Sequence, residues 1–152
     1  MKYASIIGGD FGSCDEEDYR NAEEIGKKLA KEGATIVCGG RGGVMEAVCR
    51  GAKSEGGTTI GILTSTDRSE GNDYLDHAIV TGLDVLRNSL VVQNGDIVIA
   101  IDGRYGTLSE IALAHQYGKK ILGLGTWDID TVESCEDVNE VMEKFKNYIN
   151  EK

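Results

Sequence analysis

The chain of 152 residues contains no proline. Its turns must therefore be shaped by glycine, and 21 glycines are present to do it. Positive charge is scarce as well: the formal net charge is -10. So acidic a surface is a poor partner for nucleic-acid polymers or anionic membranes, and neither is expected to bind. One small phosphate is still compatible with it, because a helix N-terminus and a single arginine act locally. No run approaches the ~20 apolar residues of a membrane span. The apolar stretch of "MKYASIIGGD" is too short for a signal peptide. A cytoplasmic protein is expected. The cysteines at 14, 38, 49 and 135 include no C-x-x-C pair and are expected to be reduced thiols, with Cys38 in the core. His77 and His115 are isolated and form no acid–base constellation. Neither a metal site nor a resident cofactor is expected.

What is present describes a folded protein. Hydrophobic residues make up 40% and charged residues 28%, as in an ordinary globular chain, and residues 1–152 read as one domain. Short apolar runs alternate with longer helical patterns. Strands are expected at 3–7, 34–38, 58–63, 77–81, 97–101 and 120–124. Helices are expected at 16–31, 44–54, 83–93, after the turn at 103–106, and at 136–150. The first helix carries Ala22, Ile25, Leu29 and Ala30 on one face. Ser13 and Glu16 have capping-box spacing before it, and Gly33 can end it. The polar segment "TSTDRSEGND" reads as a mobile loop, and the acidic stretch "DIDTVESCEDVNE" as a solvated face and helix start. This alternation predicts an α/β, Rossmann-like three-layer domain, with a mainly parallel sheet flanked by helices.

In such sheets ligands bind beyond the C-terminal strand ends. Three glycine turns fall there: Gly8-Gly9, Gly39 to Gly43, and Gly103 to Gly106. "CGGRGGVMEA" follows a strand and opens a helix, without the spacing of a P-loop. It is either an anion-binding turn or a tight connection with no ligand. "DGRYGTLSE" repeats the design. There Thr107 looks like an N-cap with Glu110 at N3, a capping box; alternatively Glu110 is a carboxylate held beside an anion loop. The ligand-phosphate candidates are Gly8, Gly9, Gly39, Gly40, Gly42, Gly43, Gly103, Arg104, Gly106 and Thr107. Arg87 lies in the mainly apolar "GLDVLRNSLVVQ", either as a surface residue or as a clamp for phosphate or carboxylate. That helix is apolar around most of its circumference, which predicts a homodimer or larger homo-oligomer. Asp96 and Asp102 are expected to satisfy turn amides, and Trp127 to pack a loop rather than stack on a base.

"CGGRGGVMEAVCRGAKSEGG" and "LRNSLVVQNGDIVIAIDGRYGTLSEI" resemble the Lonely Guy family of cytokinin-activating phosphoribohydrolases, once mislabelled lysine decarboxylases. The likeness runs from the first strand to about Leu124. In the family pattern P-G-G-x-G-T-x-x-E, Gly103, Gly106, Thr107 and Glu110 match, while Asp102 and Arg104 depart. The family's Arg-Lys pair is here Arg87-Asn88. The resemblance implies a nucleoside 5′-monophosphate site in which Arg87 and Glu110 carry N-glycosidic hydrolysis. It also implies a dimer. The departures point to a short branch similar to molybdenum-cofactor carrier proteins. The rival expectation is therefore a non-catalytic carrier or sensor for a phosphorylated pterin or a nucleotide. A decarboxylase would need a pyridoxal-binding lysine, and none lies in the three turns.

Overall fold

The computed structural model describes residues 2–151. Seven strands form one sheet: β1 (Lys2–Gly8), β2 (Ala34–Cys38), β3 (Thr59–Leu63), β4 (His77–Val80), β5 (Ile97–Ile101), β6 (Ile121–Leu124) and β7 (Glu133–Cys135). Their order is β4-β3-β2-β1-β5-β6-β7, and every neighbouring pair is parallel. The chain builds outward from β1 to β4, then returns to place β5 on the other side of β1. The strand order thus reverses between β1 and β5, where Ala4 faces Ile97 and Gly8 faces Ile101.

Five helices cover the sheet: α1 (Glu16–Lys31), α2 (Val44–Ser54), α3 (Arg87–Asn94), α4 (Tyr105–Gln116) and α5 (Val138–Asn150). The period-2 alternation of the strands divides the core between the two faces. Ile6, Ile36, Ile97, Ile99 and Ile101 pack with α1, α2 and α5. Ile7, Val37, Val98 and Ala100 pack with Val91 and Val92 of α3 and Ile111 and Ala114 of α4. β5 is buried along its whole length, as its continuous apolar run predicts. The buried Ser5 hydroxyl donates to the Val91 carbonyl at 2.6 Å, so it costs the core little.

Several expectations need correction. β7 lies inside the acidic stretch, where only a solvated face and helix start were expected; its three residues pair Leu122 to Glu133 and Leu124 to Cys135. The cap of α1 is Asp15, boxed with Asp18, rather than Ser13 with Glu16. The third helix is broken: Asp84 takes a left-handed φ of 53°, a 3-10 turn covers Asp84–Leu86, and α3 starts at Arg87. The "TSTDRSEGND" segment carries a 3-10 turn, Arg68–Glu70, and is hydrogen-bonded to the glycine turn after β2. Asn72 donates from its backbone to the Gly40 carbonyl at 2.8 Å and from its side chain to the Arg41 carbonyl at 2.9 Å.

Candidate functional site

A cleft of about 340 Å³ opens at the point where the strand order reverses. Its floor is the end of β1, where two glycines let three elements meet. A β-carbon on Gly8 would fall on the Ile101 carbonyl. The Gly9 amide donates to that carbonyl at 3.3 Å, and the Gly9 carbonyl accepts from Val44 at 2.9 Å. Gly9 thereby occupies the first amide of α2.

One wall is the start of α4. Asp102 and Gly103 turn the chain with consecutive left-handed φ of 52° and 102°. The N-cap is Arg104, and no side chain caps the helix. The amides of Tyr105, Gly106 and Thr107 have no intrahelical acceptor by helix geometry, and they carry the positive end of the helix dipole. α2 likewise starts without a side-chain cap, behind Gly43. The helices away from the cleft differ: α1 and α5 are capped by Asp15 and Asp137. The capping-box reading of the turn is therefore wrong. The helix begins at Tyr105, two residues before Thr107. Thr107 is buried against Gly103, and Glu110 sits in the second turn, with no capping role.

The opposing wall carries Arg87, the first residue of α3. Its Nη1 donates to the Ile62 carbonyl at 3.1 Å. Its Nε is buried and has no acceptor. Burial lowers the guanidinium's pKa, and Glu110 and Cys38 work against that shift. Glu110 faces the same cleft. Burial pushes its carboxyl up to about 8, although Arg87 pulls it down. The two groups feel each other's charge, but among the ion pairs of the described residues none joins them. The site therefore holds a half-buried cation, its Nε buried, with no ion-pair partner among the described residues, and a carboxyl that is largely protonated near neutral pH.

Of the candidates read from the sequence, Gly8, Gly9, Gly39, Arg87, Arg104, Gly106, Thr107 and Glu110 border the cleft. Gly40, Gly42, Gly43 and Gly103 do not. The Gly40 amide is spent on the Cys38 sulfur at 3.3 Å, and Gly40 packs under Leu63 and Leu75. Gly42 lies beneath the Phe11 ring. Gly43 takes φ 61° to fit against Gly9 and Asp10, and Gly103 leaves room for Thr107. Asp10, Gly12, Ser13, Met45 and Asn88 also border the cleft. Their one signal in the sequence is position: each follows a strand end or adjoins a matched residue. Arg104 reaches across to the Gly12 carbonyl at 3.3 Å. The Trp127 indole donates to the Arg104 carbonyl at 2.9 Å and its ring packs on Tyr105, a loop-packing role. Asp96 accepts from the Tyr3 amide at 2.8 Å, whereas Asp102 serves the turn through its backbone. His77 and His115 are exposed and outside the cleft.

The model of the SLOG cluster4 family matches residues 1–149. The chain belongs to the SLOG cluster4 family. This agrees with the Lonely Guy-like short branch suggested by the glycine motifs. Several solved structures are similar over nearly the whole chain. One is the molybdenum cofactor binding protein from Rippkaea orientalis, with 34% identity, TM-score 0.91 and 97% of each chain covered. Another is the molybdenum cofactor carrier protein from Chlamydomonas reinhardtii, with 31% identity, TM-score 0.90 and 99% of each chain covered. A protein from Archaeoglobus fulgidus is 43% identical over 119 residues, which cover 78% of this chain and 77% of that one. Among the described residues no helix is long and apolar enough to cross a membrane.

Proposed function

We propose that this SLOG cluster4 protein is a non-catalytic carrier of a phosphorylated pterin, with the molybdenum cofactor as its cargo. The carrying observation is Arg87: a half-buried guanidinium whose buried Nε–H is unanswered, bordering a cleft that also receives the uncapped start of α4. A dianionic phosphate answers both, through helix amides and charge. Arg104 adds a second cation at the same end. The volume suits a small ligand of this size. The similarity to two molybdenum cofactor proteins supports the pterin as the organic part. Glu110, held largely neutral, donates a hydrogen bond to the ligand instead of repelling its phosphate.

A second reading, nucleoside 5′-monophosphate hydrolysis, is favoured by one observation: Glu110 borders the cleft and has no capping duty. Hydrolysis builds positive charge on the ribose, and an ionised carboxylate stabilises it. A carboxyl with its pKa near 8 is short of that charge at neutral pH. Asn88 also stands where the hydrolase pattern has lysine. The carrier reading is tested by loading the protein with molybdenum cofactor and adding an apo-molybdoenzyme. Recovery of molybdoenzyme activity, with the cofactor intact, is expected. Loss of cofactor to the protein with no transfer, or release of free base and ribose 5-phosphate from AMP, GMP, CMP, UMP or IMP, would overturn it.

The protein also acts, in this proposal, as a homodimer or larger homo-oligomer. Leu83, Val85 and Leu86 stand exposed on the 3-10 turn before α3, with Ile79 exposed on β4. A second copy covers this apolar patch.

A further inference from the structure

We infer that Phe11 is the stacking platform for the flat heterocycle of the bound ligand, in a subsite beside the phosphate cleft; this rests on the ligand-binding reading above. Phe11 is 77% exposed, the opposite of what its apolar ring alone would favour. The ring is nevertheless seated. It lies directly on Gly42, where a β-carbon would fall on three of its carbons. The turn that carries it is fixed. The Asp10 carbonyl accepts from Ser13 and Cys14, both at 3.0 Å, and the Asp10 side chain accepts from the Phe11 amide at 2.8 Å. Arg104 holds the Gly12 carbonyl of the same turn. The ring thus rests on the Gly42 backbone through three of its carbons and leaves most of its surface open, on a turn that cannot readily fold it away.

The turn divides two cavities. Asp10, Gly12 and Ser13 border the phosphate cleft, whereas Phe11 borders a neighbouring cavity of about 270 Å³. The two differ in charge. The cleft has Arg87 and Arg104 against Asp10 and the largely neutral Glu110; the cavity has Glu46, Glu70 and Asp73, with Arg41 paired to Glu70 at 3.9 Å. A phosphate is drawn to the first and repelled by the second. Carboxylates at the edge of an aromatic platform instead accept hydrogen bonds from amino and ring N–H groups. The ligand class that fits is an amino-substituted heterocycle bearing a phosphate, as in a pterin or guanine-like ring, stacked on Phe11.

The test is titration of pterin monophosphate, followed by pterin fluorescence, with inorganic phosphate as a competitor that lacks the ring. Phe11→Ala is expected to weaken pterin monophosphate about 10-fold or more, the scale of a lost stacking partner, while phosphate competes as in the wild type. Phe11→Tyr should restore affinity. Gly42→Ala, which removes the seat, should behave like Phe11→Ala. Unchanged affinity in Phe11→Ala would overturn the inference, and so would equal losses for both probes, which mark a structural turn. Arg87→Ala reports on the underlying reading separately: it must weaken both probes. If the wild type binds neither probe, the binding reading fails and the platform with it.

Discussion

Arg87 occupies the space in which Gly39 would carry a side chain. A β-carbon on Gly39 would fall on the guanidinium and lie 2.8 Å from the Met45 sulfur. The glycine turn after β2 therefore positions the arginine, in addition to shaping the backbone. Gly39→Ala should expel the guanidinium from the Ile62 carbonyl and leave the sheet intact. The expected result is a folded protein whose affinity for a phosphorylated ligand, measured by calorimetry, falls about 10- to 100-fold, the worth of a charge-assisted contact.

Glu110 makes stability depend on pH. Its folded pKa, about 8, lies above the ordinary glutamate value of 4.5. The folded state thus binds more protons than the unfolded state between those values, and stability falls as pH rises through that window. Glu110→Gln removes this loss. In urea unfolding it should match the wild type below about pH 4.5 and exceed it by roughly 1–3 kcal/mol at pH 8, allowing for solvent in the cleft. Ligand affinity of the wild type should also weaken above about pH 8, as the carboxyl ionises beside the bound anion.

α1 and α2 approach through two glycines. A β-carbon on Gly26 would fall on the Val48 carbonyl, and one on Gly51 on the Glu23 carbonyl. Alanine favours a helix by about 1 kcal/mol over glycine. Here backbone collision outweighs that gain. Gly51→Ala should lower the urea midpoint, by about 1–3 kcal/mol in stability, through an overpacked helix contact.

The apolar patch on the 3-10 turn gives a test of assembly. Leu86, 70% exposed, should be covered in the oligomer. Leu86→Asp places a charge in that contact. Light scattering at micromolar concentration should show the wild type as a dimer or larger and the variant shifted toward monomer; a monomeric wild type would exclude the assembly.

The legible parts of the fold were those with a strong period. α1, α2, β2 and β5 follow from apolar spacing and the glycines that bound them, and their ends match the expected residues. β7 was hidden because three residues, Glu133–Cys135, cannot show an alternation among acidic neighbours. The start of α4 is masked in the sequence because Thr107 and Glu110 have the spacing of a cap, while of the two positive φ values that move the start to Tyr105 only that of Gly103 is signalled by its residue type, and that of Asp102 is not. Glycine positions were visible, but not which side each backbone faces. Hence Gly39 and Gly106 reach the cleft, whereas Gly40 and Gly42 serve packing. Phe11 had no signal at all: it is one aromatic in a polar turn, and its seat on Gly42 is 31 residues away.

The central claim is that a phosphorylated pterin, unaltered, is what the cleft holds. The direct measurement is mass spectrometry of the small molecules released by denaturing protein purified from cells that make molybdenum cofactor. The account predicts a phosphorylated pterin in near-stoichiometric amount, strongly reduced in Arg87→Ala. Recovery of only a nucleoside monophosphate or ribose 5-phosphate, with no pterin, would contradict it.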